Sequence, residues 1–214
     1  MNVLITGTAS GIGKATAETF LAKGHTVWGV DLAPAAITHA AYCHIRGDIR
    51  DDSLRLPEPE ILVNNAGTLE ESEALDVNLT GTIRFTERLV KSERLRSVLF
   101  IASASARSGA EFPYYVASKA GLVGYMKNLA LQLAARGVTV NSISPGGVVT
   151  PANRHILESE ALYAAVKAET LFGKWAEPEE IADLAYFLTV TNKSITGEDI
   201  LIDNGEMLKS NFIW

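Results

Sequence analysis

The chain has 214 residues, 47% of them apolar and 21% charged, with a formal net charge of −6. That length suits one domain (residues 1–214) with a sizeable core, and the acidic balance argues against nucleic acid as a partner, since neutralising phosphates needs a basic face. A single cysteine, Cys43, excludes an internal disulfide, and no apolar run approaches the roughly 18 residues of a membrane span.

The opening MNVLITG reaches a turn glycine by residue 7, which leaves no room for a signal peptide and points to the cytoplasm. NVLIT reads as a first strand, and TGTASGIG (Thr6 to Gly13) leads from it into the helical pattern GKATAETFLAKG. In such a loop Gly7 permits a tight turn, Gly11 lets backbone approach a pyrophosphate, and Gly13 allows close helix–strand packing. The helix N-terminus then offers free N–H groups to phosphate. TVWGVD is the second strand. Its final Asp31 stands where an acid hydrogen-bonds adenosine ribose hydroxyls and repels a 2′-phosphate, which favours NAD over NADP.

His44, beside Cys43, reads as part of a strand, and the four histidines show no metal-ligand spacing, so no metal is expected. EILVNN, SVLFIAS, VTVNSIS and DILID are further strands. Helical patterns run from Asp76 to about Lys91, from Tyr114 to Arg136, and through EPEEIADLAYFL, whose proline and acidic first turn mark a helix start. Strands that are nearly all apolar, alternating with helices, imply an α/β fold of Rossmann type: a doubly wound parallel sheet covered on both faces.

Five motifs in order, TGTASGIG, NNAG (Asn64 to Gly67), DVNLTG around Asn78, YVASK and PGGVVT (Pro145 to Thr150), resemble those of the short-chain dehydrogenase/reductase family over essentially the whole chain. The family's catalytic pair is Tyr-x-x-x-Lys. Only Tyr115 stands four residues before Lys119, and i and i+4 share a helix face. The resemblance therefore implies Tyr115 as acid/base, its pKa lowered by Lys119 and the positive nicotinamide. Tyr114 is left as a pocket wall or core residue. Ser103, with Ser105 as its competitor, matches the serine that holds the substrate oxygen. Asn78 matches the asparagine of a water-mediated proton relay through Lys119, and a helix-bending polar residue with a satisfied side chain is compatible with that role.

The same resemblance places Asp48 at the adenine amino group, Asn65 and Val148 on the cofactor, and Thr150 at the carboxamide. It adds Ser10, Ile12 and Ile49 to the cofactor wall, together with Ala66, Gly67, Pro145 and Gly146. The implied activity is NAD(H)-dependent oxidation of a secondary alcohol, or reduction of its ketone, by a homodimer or homotetramer. A redox-silent NAD sensor, or a lyase or epimerase using bound NAD, are the alternatives. The segment from Pro151 to Trp175 reads as a lid, with Leu157, Leu162, Tyr163 and Val166 forming an apolar stripe that suggests an apolar substrate, and Arg154 or His155 for a polar end.

The chain departs from the family by being trimmed. IRDDSLRLPEPE is too short for a full crossover helix between Asp48 and Ile61. Gly67 and Asn78 are only eleven apart, which shortens the next helix to about two turns. IDNGE replaces the two glycines expected after Asp203.

Overall fold

A computed structural model describes residues 1–209. In chain order the strands are β1 (Asn2–Thr6), β2 (Thr26–Asp31), β3 (Tyr42–Arg46), β4 (Ile61–Asn64), β5 (Ser97–Ile101), β6 (Thr139–Pro145) and β7 (Asp199–Ile202). They form one parallel sheet in the order β3-β2-β1-β4-β5-β6-β7. The order reverses between β1 and β4, so the two chain directions diverge there and open a crevice at the carboxyl ends of the strands.

The helices are α1 (Gly11–Ala22), α2 (Glu71–Ala74), α3 (Thr82–Leu89), α4 (Ser105–Ser108), α5 (Pro113–Leu133), α6 (Arg154–Leu157), α7 (Glu160–Ala168) and α8 (Pro178–Tyr186). Alternation along the strands decides which helix covers which face. Val3, Ile5, Ile61, Val63, Leu99 and Ile101 meet α1 and α8 through Phe20, Leu21, Ile181 and Ala185. Leu4, Leu62, Val98 and Phe100 point the other way, onto Phe85 and Leu89 of α3 and Leu122, Met126 and Leu129 of α5. The central strands are therefore buried on both faces, as their apolar sequences require.

The trimmed crossover is visible between β3 and β4, where no helix forms. Leu54 and Leu56 of that loop pack on the α3/α5 side of the core. Arg84 pairs with Asp52, and Arg88 donates to the carbonyls of Asp51 and Leu54. Two arginines on α3 thus fasten the loop over sheet that a helix would otherwise cover.

After Gly67 the chain becomes helical at Glu71, earlier than the apolar pattern suggests. It runs without a break through α2, a π-helical stretch (Leu75–Gly81) and α3. Asn78 lies in that stretch, and a wide π turn is a common way to re-aim a functional side chain. Among the described residues no helix is long and apolar enough to cross a membrane.

Candidate active site

The strand ends deliver the site. Gly7 and Gly11 adopt left-handed φ values of 76° and 52°, open to glycine but strained for other residues. A β-carbon on Gly13 would lie 2.0 Å from the Gly7 carbonyl oxygen and 2.4 Å from Asn65 Nδ2, so this glycine is demanded by packing. Asn65 ties β4 to the loop by donating to the Thr6 and Gly7 carbonyls at 3.0 and 3.2 Å. Asp31 accepts from the N–H groups of Ala9 (2.8 Å) and Ala33 (2.9 Å), which hold its carboxylate beside the glycine loop.

A cavity of about 460 Å³ opens above this loop, lined by Gly7, Ser10, Gly11, Ile12, Asp31, Asp48, Ile49, Asn65, Ala66, Gly67 and Thr150 among others. An extended ligand bearing phosphates fits here: the floor is bare backbone at the N-terminus of α1, and Asp31 stands at one side.

A second cavity of about 590 Å³ shares Ile12, Asn65, Gly67 and Thr150 with the first. It adds Ser103, Tyr115, Lys119, Pro145, Gly146 and Val148. Of the expected catalytic and cofactor-binding residues, only Gly13 and Asn78 line neither cavity; both sit behind the wall.

Tyr115 and Lys119 come from the start of α5. Pro113 occupies its first turn, and Glu71 accepts from the backbone N–H groups of Tyr114 (3.2 Å) and Tyr115 (3.0 Å), so a carboxylate from α2 fixes the helix N-terminus. The ammonium of Lys119, 6% exposed, donates to the Ile101 carbonyl at the end of β5 (2.9 Å) and lies 5.7 Å from the Tyr115 ring centre. Burial pulls the Lys119 pKa down to about 8, opposed by the charge of Glu111.

Burial pushes the Tyr115 phenol up to about 12, with the Ser103 hydroxyl pulling the other way and Glu111 adding to the rise. The lowering expected from sequence counts on the positive nicotinamide as well as Lys119; in the ligand-free chain burial outweighs the lysine. The phenol has left water, and the lysine charge is spent on a backbone carbonyl.

Ser103 and Ser105 both lie at this site. The Ser105 hydroxyl donates to Ser103 Oγ at 2.8 Å, and the Ser105 backbone N–H points to the same oxygen at 3.2 Å. Ser105 therefore orients Ser103. Asn78 Oδ1 accepts from the Thr68 N–H (2.7 Å), while its Nδ2 donates to the Thr68 carbonyl (2.9 Å) and Ser118 Oγ (3.2 Å). Its side chain thus braces the Thr68 loop against α5.

Sequence reasoning missed several residues. Arg50 grips Asp48 through Nε (3.1 Å) and Nη2 (2.7 Å) and reaches Asp76 through Nη1 (2.9 Å). Asp48, expected at an adenine amino group, therefore already carries a guanidinium, which holds its pKa below the usual carboxylate range. Glu111, Phe112, Glu169, Trp175 and Glu206 line the second cavity. Tyr114 does not; it is 56% exposed. Of the lid residues Val166 and His155 line the cavity, whereas Leu157, Leu162, Tyr163 and Arg154 do not. Among the described residues no group of acids, histidines or cysteines could hold a metal.

With this geometry the comparison with known proteins is decisive. The family model for enoyl-(acyl carrier protein) reductase matches residues 56–206. The short chain dehydrogenase adrF of Penicillium roqueforti is 30% identical, over 94% of this chain and 95% of its own.

The chain belongs to the short-chain dehydrogenase/reductase family.

Two solved dehydrogenases of this fold differ in cofactor. The 4-hydroxyisoleucine dehydrogenase complexed with NADH is 26% identical, with a TM-score of 0.85 over 98% of this chain and 99% of the other. A putative 2-deoxy-D-gluconate 3-dehydrogenase from Agrobacterium tumefaciens, with bound NADP, is 28% identical, with a TM-score of 0.86 over 97% and 96%.

The buried ammonium has a cost that can be read. A lysine pKa below its unfolded value penalises the fold while the amine is charged, and the penalty fades as pH rises from about 8 towards the unfolded value. We expect Lys119→Met to lose turnover yet melt higher than the unmodified protein at neutral pH, less the loss of one hydrogen bond to Ile101. That advantage should shrink above pH 8. A pH series of thermal melts checks it; a constant difference across the series would contradict the buried charge.

Proposed function

We propose that the protein is a dehydrogenase that moves hydride between a secondary alcohol, or its ketone, and a nicotinamide dinucleotide. The observation that carries this reading is the convergence of Tyr115, Ser103 and Lys119 on one cavity, which continues into the cavity over the glycine loop. The dinucleotide, when bound, supplies the hydride chemistry. Gly7, Gly11 and the N-terminus of α1 would hold its phosphates, and Asp31 its adenosine ribose.

In the oxidative direction Tyr115 Oη takes the hydroxyl proton as hydride leaves the carbinol carbon. Ser103, fixed by Ser105, holds the substrate oxygen. Lys119 stabilises negative charge on the phenol and would contact the nicotinamide ribose. A phenol near 12 is a poor base at neutral pH. Ligand binding must therefore bring positive charge to it, which couples proton removal to a loaded site. Asn78 serves this chemistry by position, holding the Thr68 loop and α5 together. A redox-silent or lyase role has no specific observation in its favour.

NAD is the proposed cofactor, on the strength of Asp31. The opposing feature is Arg46, which pairs in register with Asp31 across β2 and β3 and donates to the Leu32 carbonyl at 3.1 Å. It is a cation that the sequence reading did not weigh, but its guanidinium is engaged with backbone, whereas Asp31 lines the cavity directly. A dimer or tetramer is also proposed: Leu75, which opens the π-helical stretch, and Leu131 on α5 are 39% and 78% exposed on the side of the sheet opposite α1 and α8.

Two outcomes follow. In an NADH absorbance screen across secondary alcohols, Tyr115→Phe should remove nearly all turnover while dinucleotide affinity stays close to unchanged, and Tyr114→Phe should keep most turnover. Equal loss in both would misplace the chemistry. In fluorescence titrations NAD should bind roughly tenfold or more tightly than NADP, and Asp31→Ser should narrow the gap. Equal affinities in the unmodified protein would overturn the assignment.

A further inference from the structure

We infer that the substrate carries a protonated amine as well as the reacting hydroxyl or ketone, and that Glu206 and Glu111 receive the ammonium inside the Tyr115 cavity. This deepens the dehydrogenase reading and rests on it. The cavity's place is set by Tyr115, Ser103 and Lys119; the inference concerns the charge of the remaining wall.

Three carboxylates line that wall, Glu111, Glu169 and Glu206, against two groups able to carry positive charge, Lys119 and His155. Lys119 is occupied by the Ile101 carbonyl. Among the described residues none of the three glutamates has an ion-pair partner within 4.0 Å. They arrive from separate places: the loop before α5, the end of α7, and the turn after β7.

The neighbouring Asp203 is explained by its turn, since it accepts from the N–H groups of Gly205 (3.0 Å) and Met207 (2.8 Å). Glu206 instead turns back over the strand end, where a β-carbon on Gly146 would lie 2.9 Å from its Oε2. Glu111 holds a φ of 82°, a conformation that a β-carbon disfavours, at the rim of the same cavity.

Loss of water contact holds both carboxylates above their ordinary pKa, and the charge of Glu206 adds to the rise at Glu111. Asp203 and Glu169 add to the rise at Glu206, opposed by the Gly147 N–H; Lys119 and the Ser105 hydroxyl oppose it at Glu111. Glutamates placed this way disfavour the fold at neutral pH, because the unfolded chain ionises them more readily. A ligand ammonium removes the repulsion, and a ligand carboxylate or phosphate worsens it. Leu69, Phe112, Ile156, Val166 and Trp175 offer room for a hydrocarbon frame between amine and carbinol.

In the reaction itself the amine keeps its proton. The hydroxyl proton passes to Tyr115, hydride passes from the carbinol carbon to the oxidised dinucleotide, and an amino ketone is left. The same wall disfavours anionic substrates.

The test is calorimetric titration of cyclohexylammonium, cyclohexanol and cyclohexanecarboxylate into the NADH complex of Tyr115→Phe, repeated with Glu111→Gln and Glu206→Gln added. We expect the cation to bind roughly tenfold or more tightly than the carboxylate, the added changes to remove most of that preference, and cation affinity to fall as acid protonates the pair. Equal or tighter carboxylate binding, undetectable cation binding, or a preference unaltered by the glutamine changes would overturn the inference. Melting curves guard against misfolding: on the unmodified background Glu206→Gln should melt higher at neutral pH, with no gain near pH 4.5, the ordinary glutamate value. Turnover of neutral cyclohexanol by the unmodified enzyme tests the dehydrogenase reading separately, so the two failures are distinguishable.

Discussion

The site depends on one hydrogen bond, from the buried ammonium of Lys119 to the carbonyl at the end of β5. It joins the long helix α5 to the centre of the sheet at the height where the strands end. A charge so far from water is costly, and α5 carries it because its apolar side, through Leu122, Met126 and Leu129, is anchored in the core. Tyr115, one turn earlier, is thereby held at the cavity wall. The Glu71 carboxylate caps the N-terminus of the same helix, one turn before Lys119, so both clamps act on the turn that carries the phenol.

That arrangement explains why the phenol is a weak acid in the ligand-free chain. Lys119 lies close to Tyr115 but donates to backbone, and desolvation dominates. A site of this kind avoids a free phenolate, and in the proposed mechanism it gains its base when positive charge enters. The Ser103–Ser105 pair and the Asn78–Thr68–Ser118 bracket have the same character: each side chain is held by its neighbours, and each fixes a geometry.

Much of this was legible in the sequence because it is local. A glycine loop between a strand and a helix, and a tyrosine four residues before a lysine, need only a few consecutive residues to be recognised. The same holds for β3, signalled by Cys43 and His44, and for α8, signalled by Pro178 and its acidic first turn. What was not legible depends on residues far apart in the chain. The Arg50 clamp joins Asp48 to Asp76, and the acidic wall collects Glu111, Glu169 and Glu206. The π-helical stretch around Asn78 was missed for another reason. Over two turns its apolar pattern is the same as that of an α-helix, and only the wider i→i+5 backbone hydrogen bonding distinguishes them. The upward shift of Tyr115 in the ligand-free chain was not legible because burial has no signature in a five-residue motif, whereas the lowering read from sequence belongs to the site with the nicotinamide charge present.

The most direct test of this account is an ultraviolet titration of the Tyr115 phenolate, taken as the difference between the unmodified protein and Tyr115→Phe, without ligand and with the oxidised dinucleotide bound. The account predicts ionisation near 12 in the free chain, moving well down towards neutrality in the complex. A phenol already low in the free chain, or one that the dinucleotide leaves unmoved, would contradict it.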